Sequence, residues 1–238
     1  LREARLVNAA RMALGLSCHV SGTGFLVAAD VIREKGGWPY HLLTEDLQFS
    51  AECAAEGRRI GYCADAIIYD EQPTSLRQSW DQRLRWSRGF FQVGGRYAPS
   101  LFRGMAHGGR KGFVCYDILL TVTSGVLLTL AGAVLQAMVA LSCFSAPVYI
   151  IYAVLDLTAN WLWRGFTGFY MGMLAYGAIT LFSEWGRIKA TPLQKIGYLF
   201  TTPIFMLTYI PITVCALFQK VEWKPIAHKS LARIDPAA

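Results

Sequence analysis

The chain has 238 residues, 54% of them hydrophobic and only 16% charged, with a net charge of +7. That length allows one compact domain and something more, and the uneven placement of charge excludes a uniformly water-facing protein. The cysteines (18, 53, 63, 115, 143 and 215) form no Cys-x-x-Cys pair, which argues against a zinc site or a disulfide framework and for scattered thiols in a reducing compartment.

Leu1 to Arg11 reads as the middle of an amphipathic helix, and the chain is expected to be the C-terminal part of something longer. VSGTGFLVAA (20–29) joins glycines to an apolar run and predicts a turn leading into a buried strand. ADVIREKGG (29–37) predicts a short helix stopped at Gly36-Gly37, followed by a loop held by Pro39. TEDLQFSAECAAEG (44–57) predicts a helix with Thr44 as N-cap and acids in its first turn. Leu47, Ala51, Ala54 and Ala55 fall on one face, and Gly57 is the stop. RIGYCADAIIYDEQP (59–73) holds two strand-like runs closed by Pro73. SLRQSWDQRLRWSRGFFQV (75–93) returns to helical spacing. Trp80, Leu84, Phe90 and Phe91 mixed with arginines predict an amphipathic helix suited to a membrane surface. Strands alternating with helices predict α/β layering for residues 1–112.

Residues 113–238 are of another kind. From Phe113 to Phe182 the only formal charges are Asp117, Asp156 and Arg164, and Ile196 to Gln219 carries none. A membrane-crossing helix needs about 20 mostly apolar residues. The segments Tyr116–Phe144, Pro147–Trp163, Phe166–Trp185 and Gly197–Phe218 therefore predict an all-α transmembrane region of three or four spans. The second and third are either two spans with a tight turn at Trp163-Arg164-Gly165 or one long helix. Pro203 and Pro211 predict a bend in the last. Eight Arg/Lys lie between Arg77 and Lys111 against the single acid Asp81, which accounts for the whole net charge. Basic residues just before a first span place that side in the cytoplasm, with the Cys143–Pro147 turn on the far side.

Two clusters carry possible chemistry. Thr44-Glu45-Asp46 fits an ordinary helix start as well as a catalytic carboxylate. Gln82-Arg83-Leu84-Arg85-Trp86 groups an amide, two guanidiniums and an indole. Arginine forks match phosphate oxygens, and an indole face suits the C–H face of a sugar. Asp81 could instead pair with an arginine and leave a plain surface helix.

The order SGTGF (21–25), GGW (36–38), TED (44–46), YDEQP (69–73), QRLRW (82–86), then apolar spans and EWKPIAH (222–228) resembles the C-terminal half of the membrane-integrated family 2 glycosyltransferases. That group includes cellulose, hyaluronan and poly-β-1,6-N-acetylglucosamine synthases. The resemblance covers nearly the whole chain. It implies the C-terminal part of a GT-A-type α/β domain, inverting transfer of a hexose from a nucleotide sugar to a glycan or lipid-linked acceptor, and a place in the plasma (inner) membrane. It makes Asp46 the catalytic base with Glu45 in support. Gln82 and Arg85, with Arg83 as their neighbour, would contact the donor diphosphate. Trp86 would stack on the acceptor sugar, with the backbone of Gly22, Thr23 and Gly24 close to it. It implies Mg²⁺ or Mn²⁺ on the diphosphate, held by a D-x-D motif in an N-terminal half. No D-x-D occurs in this sequence, so no metal ligand is assigned, and the chain alone is expected to be inactive. No nucleic acid partner is expected. Two other readings compete: a non-catalytic membrane scaffold that keeps the motifs, and a peripheral domain binding anionic lipid through residues 77–111.

Overall fold

The computed structural model describes residues 3–68, 70, 72–143 and 146–223, without the side chains of 3–5 and 124–130. Tyr69 and Glu71 of YDEQP, Phe144 and Ser145 of the expected Cys143–Pro147 turn, and EWKPIAH from Lys224 onward lie outside these residues. A π-helical turn, Glu3–Asn8, runs into α1 (Ala9–Ala13). Then follow α2 (Ala29–Glu34), α3 (Glu45–Glu56), α4 (Leu76–Ala106), α5 (Gly109–Ser142), α6 (Val148–Ser183), α7 (Pro192–Leu207) and α8 (Tyr209–Phe218). The chain divides into two units. One comprises Glu3–Thr123 and the chain from Pro211; the other comprises Ser124–Ile210.

In the first unit, α3 packs along α4. Its stripe Leu47, Ala51 and Ala54 meets Val93, Tyr97 and Leu101 of α4 and Val114, Cys115, Ile118, Leu119 and Val122 of α5. Its other side, Phe49 and Cys53, packs against Tyr40, with Trp38, Val20, Val27 and Ile60 around them. Helix α3 is thus enclosed on two sides, and it ends as expected at Gly57, whose φ of +80° suits a residue without a Cβ. Arg11 grips Asp117 of α5 through both carboxylate oxygens, at 2.8 and 3.2 Å, with His19 Nε2 3.4 Å from the same group. This fastens the N-terminal segment to α5.

Three expectations change. The α/β layering is not borne out, because no strand forms among the described residues. Residues 20–29, 59–68 and 70 are irregular apart from α2's first residue and a turn. Just before the first of them, Cys18 N–H donates to the Ile60 carbonyl (2.9 Å) and Ile60 N–H donates to Ser17 Oγ (3.0 Å). A ladder needs a run of paired backbone N–H and C=O groups, and the described residues of the two segments form none. Second, α4 continues thirteen residues beyond Val93. Tyr97 and Leu101 prolong the buried i, i+4 stripe across Pro99, which outweighs one lost helical hydrogen bond. Third, the apolar residues that predicted a membrane-surface helix are partly packed on protein. Phe90 joins the α3–α4–α5 core, while Trp80, Leu84 and Phe91 pack on Ile212, Cys215 and Ala216 of α8.

In the second unit, α6 is continuous through Trp163-Arg164-Gly165, so the second and third apolar segments form one helix rather than two spans. At about 1.5 Å per residue it exceeds the ~30 Å hydrocarbon layer. Helix α7 begins with a capping box at Thr191 and Gln194. The last segment breaks at Thr208, where α7 gives way to α8. Pro211 cannot donate to the carbonyl four residues back, at Leu207, and its ring crowds that group. Among the described residues, Val148–Ser183 and Pro192–Phe218 are long and apolar enough to cross a membrane.

Candidate active site

Asp46 sits in the first turn of α3 and half-buried. Thr44 takes the N-cap place, and its carbonyl accepts the first helical bond from Gln48 N–H at 3.0 Å. Its side chain does not cap. The Leu47 N–H that a capping hydroxyl would bind donates instead to Asp46 Oδ1 at 2.7 Å. Thr44 Oγ1 is left buried without a hydrogen-bond partner.

The SGTGF loop reaches the same carboxylate. A Cβ at Gly22 would lie 3.5 Å from Asp46 Oδ2. The loop is held there by a relay through Ser50, whose hydroxyl accepts from Val20 N–H at 2.9 Å and donates to the Asp46 carbonyl at 2.9 Å. Thr23 is exposed beside it. Gly24 serves a different contact from the one expected. With φ at +72°, its backbone lies against Ile68, whose Cδ1 would be 1.8 Å from an added Cβ. The left-handed backbone there favours glycine, which has no Cβ.

Burial pushes the Asp46 carboxyl above its ordinary value. The neighbouring Glu45 pushes the same way, while the backbone N–H groups of Leu47, Asp46 and Gly22 pull against it. Removal from water disfavours the charged form, whereas hydrogen bonds to the carboxylate favour it.

The segment before Asp46 is clamped from two helices. Gln48 Oε1 accepts from Leu42 N–H at 3.1 Å, and Gln92 Oε1 of α4 accepts from Leu43 N–H at 3.2 Å. Gln48 Nε2 donates to Tyr97 Oη at 3.3 Å, and Tyr97 donates to Glu52 at 3.1 Å. The sequence reading missed Ser50, Gln48, Gln92 and Tyr97. They are common polar residues at no diagnostic spacing, and only their shared targets mark them.

Ser75 caps α4 by accepting from Gln78 N–H at 3.2 Å. Gln82, Arg85 and Trp86 recur at helical spacing with Gly89 and so lie on one face. That face meets the start of α3, since Gly89 abuts the Thr44 side chain. The opposite face packs on α8, where Arg88 Nη1 donates to the carbonyls of Ala216 and Leu217 at 3.1 and 3.3 Å. Arg85 is half-buried, with its guanidinium 5.9 Å from the centre of the Trp223 ring. Arg83 departs from the expectation. It lies off the Gln82–Arg85–Gly89 face and is buried, and its Nε donates to the Ser79 carbonyl at 3.1 Å.

The arrangement offers a carboxylate of raised basicity facing a glycine backbone, and a helix bearing an amide, a guanidinium and an indole that packs on the same turn. Among the described residues no three His, Cys, Asp or Glu side chains converge as a metal site.

Comparison with known proteins bears on this arrangement. Residues 4–218 match the family described as "Glycosyl transferase family group 2". The chain is 29% identical over 84 residues to the probable glycosyltransferase YdaM of Bacillus subtilis (strain 168), covering 35% of this chain and 20% of that protein. It is 30% identical over 81 residues to a probable glycosyltransferase of Sulfolobus acidocaldarius, covering 34% of this chain and 17% of that one. It is 31% identical over 74 residues to the poly-beta-1,6-N-acetyl-D-glucosamine synthase of Staphylococcus aureus (strain COL), covering 31% and 18%. The matched part thus spans a fifth or less of these relatives' length. No solved structure matches.

Proposed function

The chain belongs to glycosyl transferase family group 2, and from that premise we propose that it carries the acceptor-side half of an inverting glycosyl transfer site at the cytoplasmic face of a membrane. The donor is a nucleotide sugar, most simply a UDP-hexose. The acceptor is a growing glycan or a lipid-linked sugar, in keeping with the Staphylococcus aureus relative's name.

Asp46 acts as general base. It takes the proton of an acceptor hydroxyl while that oxygen forms a bond to the anomeric carbon, the bond to the nucleoside diphosphate breaks, and the configuration inverts. A positioned base contributes about 10²–10⁴ in rate, and burial raises its affinity for the proton it must take. Glu45 reinforces that by like-charge repulsion. Gln82 and Arg85 take the diphosphate through charge-assisted hydrogen bonds, and Trp86 stacks on the acceptor. Gly22 lets the acceptor's ring approach the backbone beside Asp46. Arg83 and Gly24, both taken up by internal contacts, support the site through packing.

The residues present do not fit the divalent ion expected with the diphosphate. Its D-x-D ligands would lie in an N-terminal half. The two apolar helical stretches support a membrane as the second partner.

The observation that carries this reading is the convergence of Gly22, Asp46 and the QRLRW helix on the first turn of α3. The test is sugar transfer from a panel of UDP-sugars by the full-length protein and its Asp46→Asn variant in membranes. Transfer lost in the variant, with insertion unchanged, supports it. Transfer by neither protein, with both well inserted, would favour the scaffold reading.

A further inference from the structure

We propose that Gly89 is a positioning residue for the catalytic base, acting through Thr44. This rests on the assignment of Asp46 above.

Glycine inside a helix lowers its stability relative to alanine, so its presence in the middle of α4 calls for a reason. A Cβ at Gly89 would lie 2.5 Å from both Thr44 Cγ2 and Thr44 Oγ1 and 3.0 Å from Thr44 Cβ. The nearby Gly95, in the same helix, has nothing within 4 Å of the same construction. Gly104, the other tight glycine of α4, lies against Cys115 of α5, so the close approach to the start of α3 belongs to Gly89.

Thr44 has no easy way to yield. It is 5% exposed, and a β-branched side chain has few rotamers. It is also locked at the backbone, with its carbonyl in the first bond of α3 and the preceding Leu43 N–H held by Gln92 of α4. Its hydroxyl has given up the capping bond that would justify a threonine there, because Asp46 takes the Leu47 N–H. What remains for the Thr44 side chain is to fill the hollow above Gly89. The depth of that hollow sets how closely the start of α3, and with it Asp46, approaches the face bearing Gln82, Arg85 and Trp86. An added methyl would push Thr44 and the Asp46 turn outward while leaving the diphosphate contacts of α4 in place. The expected signature is loss of turnover with retained nucleotide affinity.

The experiment uses the full-length protein in detergent or nanodiscs and measures kcat and UDP affinity for wild type, Gly89→Ala, Gly95→Ala and the double variant Gly89→Ala/Thr44→Ala. Misplacing a reacting group by about 1 Å can cost on the order of 10²-fold. We expect Gly89→Ala to lower kcat about 10- to 100-fold with UDP affinity changed less than about threefold. The double variant, which removes the obstructing atoms, should recover most of that loss, and Gly95→Ala should behave as wild type. Gly89→Ala turnover near wild type, an equal loss in Gly95→Ala, or no recovery in the double variant would each overturn the proposal. So would a parallel loss of UDP affinity, which marks general damage. Full transfer by Asp46→Asn would instead sink the base assignment, and this proposal with it.

Discussion

The two units of this chain use apolar side chains in opposite ways. Around α3 the apolar residues face inward: Ala51, Val93 and Leu101 have no exposed surface, and buried amides such as Gln48 are hydrogen-bonded to fixed partners. In α6 only Leu181 is buried, and Tyr149, Tyr152, Leu155, Leu157 and Leu162 point outward. The first pattern suits water as solvent and the second suits lipid, in which exposed leucines cost nothing. Hydrophobicity alone does not distinguish the two; the direction of the side chains does. The boundary also falls within an element, since the first turns of α5 are buried against α3 and α4 although the same helix continues into the apolar unit.

The largest effect expected from this contrast is chemical and confined to the first unit. Asp46→Asn in the full-length protein should lower turnover by about 10²-fold or more with insertion unchanged. Turnover within a few-fold of wild type would remove the base from this unit. The same group should leave a mark in the pH profile. Because the base must be ionised and burial raises its pKa, the rate should fall on acidification at a pH above the ordinary aspartate value of about 3.9. An acid limb at or below that value would contradict the burial seen here.

Next is a stability contrast. Leu101→Ala should destabilise the first unit by about 2–5 kcal/mol through the cavity it leaves. Leu157→Ala, on the outward face of α6, should change stability in detergent by about 0.5 kcal/mol or less. Thermal unfolding of both variants in the same detergent checks this. Equal losses would mean that α6 is covered by protein and the comparison fails.

The smallest effect separates the last two residues of the QRLRW motif. Arg85→Ala should weaken UDP binding by about tenfold, since a charge-assisted hydrogen bond is worth about 1.5–3 kcal/mol. Trp86→Ala should leave UDP affinity nearly unchanged and raise the acceptor concentration needed. Titrations with UDP and with acceptor assign the roles, and the reverse pattern would exchange them.

Much of this was legible along the chain because it depends on near neighbours. The helix from Glu45 to Glu56 follows from its acids, its Leu47–Ala51–Ala54 stripe and Gly57, each signal within four residues of the next. The apolar spans follow from composition, and the motif order points to the family that residues 4–218 match. Other features depend on what lies across the fold. That Trp80 and Phe91 pack on α8 was decided by a segment more than a hundred residues away. Whether 20–29 and 59–68 become strands depends on a backbone pairing that the described residues do not form. Thr44 looked like a helix cap by position, yet its hydroxyl caps nothing, because Asp46 competes for the same N–H and Gly89 makes room for the threonine elsewhere. Sequence periodicity encodes which residues turn away from water, since that needs only the local helix. It does not encode what they turn toward, because that is set by packing between segments that only the tertiary structure brings together.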